Sequence, residues 1–507
     1  MRLILNKRFS RIILLAAATV LVLSLAGVWS RRPRLDSNGF ENNGLLPLLG
    51  LSGKTPEAYN FETASAFFPV SMDIEKATNK EICASFPSYM TQRIQPVLKM
   101  GHGESRAKIN GQLDSVSACF TNDELLIFSD LAEKIGDQEV IDILADLPEA
   151  FHIDNPDFEG YIAMQEMKRN GTLDNDKEAM SRINGWKVDK YKFIPMIERA
   201  WTMRPGRDWY VFYETDTYIV WDNMFRFLST LDPAAPLYMG SPSPGQHDEK
   251  KKFKTWFANG GPGFVLSRAA MERLLHRESS LTGQLIDPPL NLKWRDLLRG
   301  DCCGDSVLGW ALWNVSVPLS GFFPMFNVYP LHGIPFTERF WCQPVLTMHK
   351  TTPEDMVKLW KWEHSRRKRG EPLLYSGLYE FQHPGEPAVV SDWDNGDLDQ
   401  FRPPPEAKVD SFDTCGQACR DSTDCFQWLW RGQDVKECVL MRSIRKGIPR
   451  KMEVLEQPQA ATKDAEAKPG RKIDYKSGWV MSRIEQWKND NACKAPQWLG
   501  PSITRVY

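Results

Sequence analysis

Trp209-Tyr-Val-Phe-Tyr-Glu-Thr-Asp-Thr-Tyr-Ile-Val220 decides how the rest of the chain is read. Trp209 to Tyr213 is an unbroken aromatic and β-branched run, long enough for a buried strand. It breaks into Glu214-Thr215-Asp216, and Asp222-Asn-Met-Phe-Arg-Phe-Leu228 then reads as a helix opening on Asp222. Carboxylates at the carboxyl end of a buried strand stand where α/β sheets place their ligands. Paired acidic oxygens there suit a hard divalent cation, which can neutralise a diphosphate. The competing reading is an acidic turn after a core strand.

Working towards the amino terminus, Trp186 to Trp201 carries apolar residues at roughly helical spacing, with Pro195 kinking the helix or starting a new one. Its aromatics read as core, and Lys192 as a solvated lysine rather than a phosphate contact. Ile94 to Gly101 and Glu124 to Asp130 read as two further strands. Lys108 to Phe120 lies between them as the crossover helix of a βαβ unit. Asp130 ends the second strand, as a ligand-facing carboxylate or as a cap on the next helix. Cys83 and Cys119 bracket the region and can pair, although spacing does not fix connectivity.

Towards the carboxyl terminus, Pro236 to Gly240 reads as a short strand and Ser241 to Lys254 as a polar loop. Asn259-Gly-Gly-Pro-Gly263 permits close backbone approach by a ligand, because glycine lacks a Cβ. Phe264-Val-Leu266, Ser267 and Arg268 to Leu275 read as strand, cap and helix. Asp305 opens a helix running to Trp313, as a catalytic carboxylate or as its cap.

Glu214-Thr-Asp216 resembles the Asp-x-Asp signature of nucleotide-sugar glycosyltransferases. Trp256 to Arg268 resembles the Gly-Gly-x-Gly segment of glycosyltransferase family 31, which includes Fringe and the core 1 β-1,3-galactosyltransferases. Asp301-Cys-Cys-Gly-Asp-Ser-Val-Leu-Gly309 is similar to that family's Asp-Asp-x-x-x-Gly, and Trp341 to Lys350 to its late histidine segment. The likeness covers roughly residues 90 to 365 and is nearest the fungal-type branch.

The resemblance implies a GT-A-like nucleotide-sugar-binding α/β domain over residues 76–370, with a UDP-sugar as donor and a glycan or glycoprotein as acceptor. Transfer would invert the anomeric centre and form a β-1,3 bond. Asp216 and His349 would hold a divalent cation, and mixed carboxylate and imidazole ligation suits Mn2+. Glu214, Gly260 and Gly261 would line the nucleotide-sugar site, Asp130 would lie near the uridine, and Asp305 would be the general base. The chain departs from the family at Glu214, Thr215 and Gly304, where acids are usual. A lectin-like binding protein on a decayed transferase scaffold is therefore the rival reading.

Net charge is −2, so no global field argues for nucleic acid. Ten cysteines and the sequons Asn170-Gly-Thr172 and Asn314-Val-Ser316 suit an oxidising compartment. Ile12 to Trp29 is an uncharged apolar run of membrane-spanning length, with Arg2, Lys7, Arg8 and Arg11 before it. It reads as a type II signal anchor behind a cytosolic tail of residues 1–11, with a cleaved signal peptide ending near Ala26 as the alternative. Residues 30–75 read as a stem, and the protein is expected in the Golgi or ER membrane with its catalytic part lumenal.

Residues 371–408 are rich in Pro, Gly and Asp and read as a linker. Cys415-x3-Cys419-x5-Cys425-x12-Cys438 follows, resembling a PAN/apple module over residues 409–490, a small disulfide-rich α+β unit that binds protein or carbohydrate. Gly478-Trp479-Val480 reads as its closing strand, and residues 491–507 as a tail. Cys302 and Cys303, as neighbours, are not expected to bond each other; one of them is set to pair with Cys342. Cys493 is left without an assigned partner.

Overall fold

A computed structural model describes residues 73–505, apart from 75, 174, 368–370, 384–386, 397 and 456–469. Ile12 to Trp29 and residues 30–72 of the stem lie outside the described residues. Among those described, no helix is long and apolar enough to cross a membrane.

The fold is mixed α/β and is built on an eight-stranded sheet. Its centre is β1 (Ile94–Lys99), flanked on either side by the parallel strands β2 (Leu126–Ser129) and β5 (Trp209–Glu214). Beyond β2 lie β4 (Gln138–Asp142), parallel to it, and the antiparallel β3 (Glu133–Ile135). Beyond β5 come β10 (Phe264–Ser267), β7 (Tyr238–Gly240) and β11 (Leu319–Gly321). The crossover from β1 to β2 carries α1 (Arg106–Leu113).

Successive strand residues point to opposite faces, and β5 shows it directly. Trp209, Val211 and Tyr213 enter one hydrophobic core, while Tyr210 and Phe212 enter the other. The first core is closed by α4 (Trp221–Leu228) and α7 (Pro353–Arg366). The second is closed by α3 (Phe193–Met203) and α6 (Gly304–Asn314). Each fully buried aromatic contributes on the order of 1.5–3 kcal/mol, so four aromatics and Val211 in one five-residue run fix this strand at the centre. Carboxylates directly after it have nowhere to go but the sheet's edge.

Pro195 is the third residue of α3, where its missing N–H costs no intrahelical bond, so a new helix starts there instead of an old one kinking. A short turn, α2 (Trp186–Asp189), precedes it. The polar stretch after β7 is not a loop: β8 (Pro242–Asp248) and β9 (Phe253–Ala258) pair as a two-stranded ribbon. The periodicity was hidden because much of the ribbon faces solvent and carries Pro and Gly.

A three-stranded sheet joins β6 (Tyr218–Ile219), β12 (Phe326–Asn327) and β13 (Thr347–Met348). Its strands are two residues each, yet they bring together segments more than a hundred residues apart. Met348 pairs with Tyr218 and Thr347 with Ile219, antiparallel. The residue after β13, His349, is therefore delivered beside Asp216.

Within 371–408, α8 (Tyr375–Gln382) has Tyr375 and Leu378 fully buried, with the Tyr375 hydroxyl donating to the Pro324 carbonyl at 2.7 Å. The following unit packs a helix, Phe412–Asp421, on a five-stranded antiparallel sheet that includes Gln427–Arg431, Glu437–Met441 and Tyr475–Trp479. Cys415–Cys438 and Cys419–Cys425 bonds staple it. Ile444, Trp479 and Ile484 run on into the first core, so this unit shares apolar packing with the α/β part. Cys342 bonds Cys493, not Cys302 or Cys303, because residues 493–505 fold back over the sheet, where Ser502 N–H donates to the Gly321 carbonyl at 2.7 Å. Cys302 and Cys303 bond each other, against the expectation from adjacency, and Cys83 bonds Cys119.

Candidate active site

The carboxyl ends of β2, β1 and β5 open into a cavity of about 470 Å³. A slightly larger cavity, about 540 Å³, lies between α7 and the Cys493–Pro496 segment and shares no lining residue with it. The smaller one gathers the candidate residues Asp130, Glu214, Gly260, Gly261 and Asp305.

Its floor is an alternating chain of charges, with Lys99, Lys192 and Asp130 buried and Glu214 and Asp189 half-buried. Glu214 Oε1 lies 3.2 Å from Lys99 Nζ, which lies 2.6 Å from Asp189 Oδ2. Asp189 Oδ1 is 3.5 Å from Lys192 Nζ, and Lys192 Nζ is 3.3 Å from Asp130 Oδ2. The lysine taken from sequence to be solvated is thus buried, and it also donates to the Met100 carbonyl at 2.9 Å. Burial opposes the Lys99 ammonium, yet the Asp189 and Glu214 carboxylates outweigh it and raise its pKa. Burial also opposes ionised Asp130 and Asp189, but their lysines, with the His102 N–H on Asp130, hold both below the usual carboxylate range. Glu214 shares its lysine with Asp189 and faces Asp216, so burial lifts it to about 7.

Glu214, Asp216 and His349 each offer a ligand atom within 4.8 Å of the others. Asp216 Oδ1 is buried without a hydrogen-bond partner and stands 3.7 Å from His349 Nε2. Its other oxygen lies 3.3 Å from Lys108 Nζ. Burial lowers the His349 pKa, keeping the imidazole neutral, the form that ligates metal. A Cβ on Gly261 would come within 2.2 Å of that ring, so only glycine leaves His349 its place. An orphaned carboxylate oxygen, a neutral imidazole and a second carboxylate fit a divalent cation.

Thr215, in the family's middle acidic position, points elsewhere: its hydroxyl donates to Glu104, whose carboxylate also accepts from Gly101 N–H at 2.8 Å. Lys108 Nζ bridges Glu104 Oε2, at 2.9 Å, and Asp216. Glu104 and Lys108 are therefore part of the acidic site, and Thr215 serves it indirectly.

Asp305 is the second residue of α6 and does not cap it from outside. Its Oδ2 accepts from Gly260 N–H at 2.8 Å and its Oδ1 from Ser306 N–H at 2.9 Å. Burial raises its pKa above the ordinary aspartate value. Asp301 does the structural work at this helix start, accepting from Cys303 N–H, Ser306 Oγ and Gln246 Nε2. Gly304 has no room for a side chain: a Cβ would lie 2.3 Å from the Lys190 carbonyl. The disulfide-bonded Cys302 and Cys303 line the same cavity, and their sulfurs are not free to ligate.

Lys99, Glu104, Lys108 and Asp189 carry no site role in the sequence reading, and Lys192 is read there as solvated. Lys99 alone had a signal, since it ends a buried strand just as Glu214 does. The others reach the cavity from helices and loops.

Residues 180–290 match the family model described as Fringe-like. A Drosophila melanogaster protein, Fringe glycosyltransferase, is 30% identical over 83 residues, which is 14% of this chain and 20% of that protein. The chain thus matches about a fifth of that relative's length. The Fringe-like segment carries α2, α3, the acidic triplet and the glycine loop, whereas Asp130, Asp305 and His349 lie outside it. The stretch from Asp189 to Gly261, which supplies much of the cavity floor, is Fringe-like in sequence.

Proposed function

We propose that this chain is a metal-dependent, inverting glycosyltransferase with a GT-A-like domain. It moves a sugar from a UDP-sugar to a hydroxyl of a glycan or glycoprotein, forming a β-1,3 bond. The observation that carries the reading is the buried, unpartnered Asp216 Oδ1 facing His349 and Glu214, in one cavity with Asp305. Asp216, His349 and Glu214 would hold the cation, Mn2+ in this proposal. When bound it supplies Lewis-acid stabilisation of the diphosphate leaving group.

The chain's own residues supply the rest. Asp305 takes the proton from the acceptor hydroxyl as its oxygen attacks the anomeric carbon from the face opposite the leaving UDP. The Gly260 N–H fixes the carboxylate's aim, and burial raises its basicity towards the operating pH. Lys99 and Lys192 stand in the cavity floor, held in place by Asp189 between them and by Glu214 and Asp130 on either side. The cavity shields these charges from water, which strengthens their effect on charge developing at the leaving oxygen.

The remaining features belong to the same proposal. A type II anchor at Ile12 to Trp29 places the catalytic part in the Golgi or ER lumen. Five disulfides and the solvent-exposed sequon residues Asn170 and Asn314 suit that compartment. The C-terminal unit serves as a PAN/apple-like module for acceptor recognition. The test is hydrolysis of a UDP-sugar panel with and without manganese, since a protein that only binds carbohydrate turns over none.

A further inference from the structure

Among the described residues, Trp186 is the exposed tryptophan: 70% of its surface is open, while every other described tryptophan is buried or half-buried. A single exposed apolar ring is ordinary on a protein surface; what distinguishes this one is its place in the lining of the cavity. The ring's mounting is firm. The Trp186 N–H donates to Asn184 Oδ1 at 3.2 Å, Val188 in the same turn is buried, and Asp189 closing that turn bonds Lys99. An exposed ring on a pinned turn at a cavity mouth is built to be covered by a ligand.

The order of the strand ends says which part of a ligand. Glu214, Lys99 and Asp130 stand at the ends of β5, β1 and β2, three adjacent strands. Adjacent strands lie about 4.8 Å apart, so the acidic cluster and Asp130 are roughly 10 Å apart, with Lys99 between them. A nucleoside diphosphate has that reach from its phosphates to its base. At the Asp130 end the wall is thin. A Cβ on Gly185 would stand only 3.5 Å from Asp130 Oδ2, so the residue before Trp186 packs against this carboxylate. Gly103, another wall residue, has open space around it.

We propose that Trp186 is the stacking platform for the nucleobase of the donor nucleotide, a specificity-determining residue at the end of the cavity away from Asp216. The assignment rests on the nucleotide-sugar reading above. The ring supplies an apolar face for the base, while a cation on the Glu214, Asp216 and His349 cluster would take the diphosphate.

The test uses the purified full-length chain and compares Trp186→Ala, Trp186→Phe and wild type by calorimetry. UDP with manganese and inorganic pyrophosphate with manganese are the two probes. Stacking of one base on an aromatic ring predicts that Trp186→Ala weakens UDP by about tenfold to a hundredfold. Pyrophosphate affinity stays unchanged, and Trp186→Phe recovers most of the UDP affinity. Equal UDP affinity in wild type and Trp186→Ala overturns the proposal and leaves the ring to the acceptor. An equal loss for both probes also overturns it, because Trp186 would then act only by holding Asp189 against Lys99. If wild type binds pyrophosphate but not UDP, this inference and the nucleotide-sugar reading fall together.

Discussion

Gly261→Ala is the smallest perturbation that should disable the acidic cluster. The backbone at Gly261 is not in the left-handed region, so alanine can adopt it, and the effect is purely one of space. The added methyl would stand 2.2 Å from Cε1 and Nε2 of His349, where ordinary contact begins near 3.4 Å. Ring and loop must therefore part by about 1.2 Å. The neighbourhood gives little on the loop side, since the Gly261 carbonyl is held by Thr217 Oγ1 at 2.6 Å and Gly260 N–H by Asp305. The imidazole is the element that moves, away from Asp216. Misplacement by about 1 Å at a reacting centre costs on the order of a hundredfold in rate, and overpacking costs about 1–3 kcal/mol of stability. Manganese-dependent UDP affinity should fall about tenfold to a hundredfold, the scale on which disturbed metal surroundings act. Calorimetry measures that, with a thermal melt to confirm folding. Gly300→Ala, where an added Cβ meets nothing within 4 Å, is the control. A Gly261→Ala protein that binds UDP and manganese as tightly as wild type would refute the placement of His349.

Asp305→Asn keeps an acceptor for Gly260 N–H but removes the base, so turnover should drop about a hundred- to ten-thousand-fold. Because burial raises the folded-state pKa of Asp305, its ionised form costs folding free energy as pH rises through that pKa. Asp305→Asn should therefore melt no lower than wild type at pH 7, and a clear loss of stability counts against a catalytic role. In wild type, the rate should climb with pH along an acid limb that lies above the ordinary aspartate value of about 3.9; a limb at or below it contradicts the assignment. Lys99→Met leaves Asp189 and Glu214 facing each other without their shared cation and should cost about 3–5 kcal/mol. A chemical-denaturation loss under about 1 kcal/mol would show that the charge chain is not coupled as drawn. Cys493→Ser cuts the bond to Cys342 that spans 151 residues, and should lower unfolding free energy by about 2–5 kcal/mol; an unchanged melt means the returning segment is held by packing alone.

Legibility in the sequence followed the range of each interaction. Strands β1, β2 and β5 could be read because their apolar runs end abruptly at charged residues, and that pattern also exposed Asp130, Glu214 and Asp216. Ser267 capping α5 (Arg268–Leu275) is equally local: its hydroxyl accepts from Ala270 N–H at 3.1 Å. The charge chain was not legible, because Lys99, Asp189 and Lys192 reach it from a strand end, a turn and a helix start. Asp189 and Lys192 each read alone as solvated charges, and only Lys99, at the end of a buried strand, is marked by its position. His349 reached Asp216 through two-residue strands too short for any periodicity to mark. Gly304 looked like a lost acid, and only the Lys190 carbonyl behind it shows why no side chain fits. Residues 371–408 read as a linker by composition, yet α8 within them is pinned by Tyr375 in the first core.

The central claim is that Asp216, with His349 and Glu214, makes this cavity a metal-dependent nucleotide-sugar site. Its most direct test is the UDP affinity of wild type and of Asp216→Asn, each titrated with and without manganese. The account predicts tight, manganese-dependent UDP binding in wild type and loss of the manganese dependence in Asp216→Asn, with the fold unchanged. Manganese-dependent UDP binding of equal strength in both proteins would contradict it.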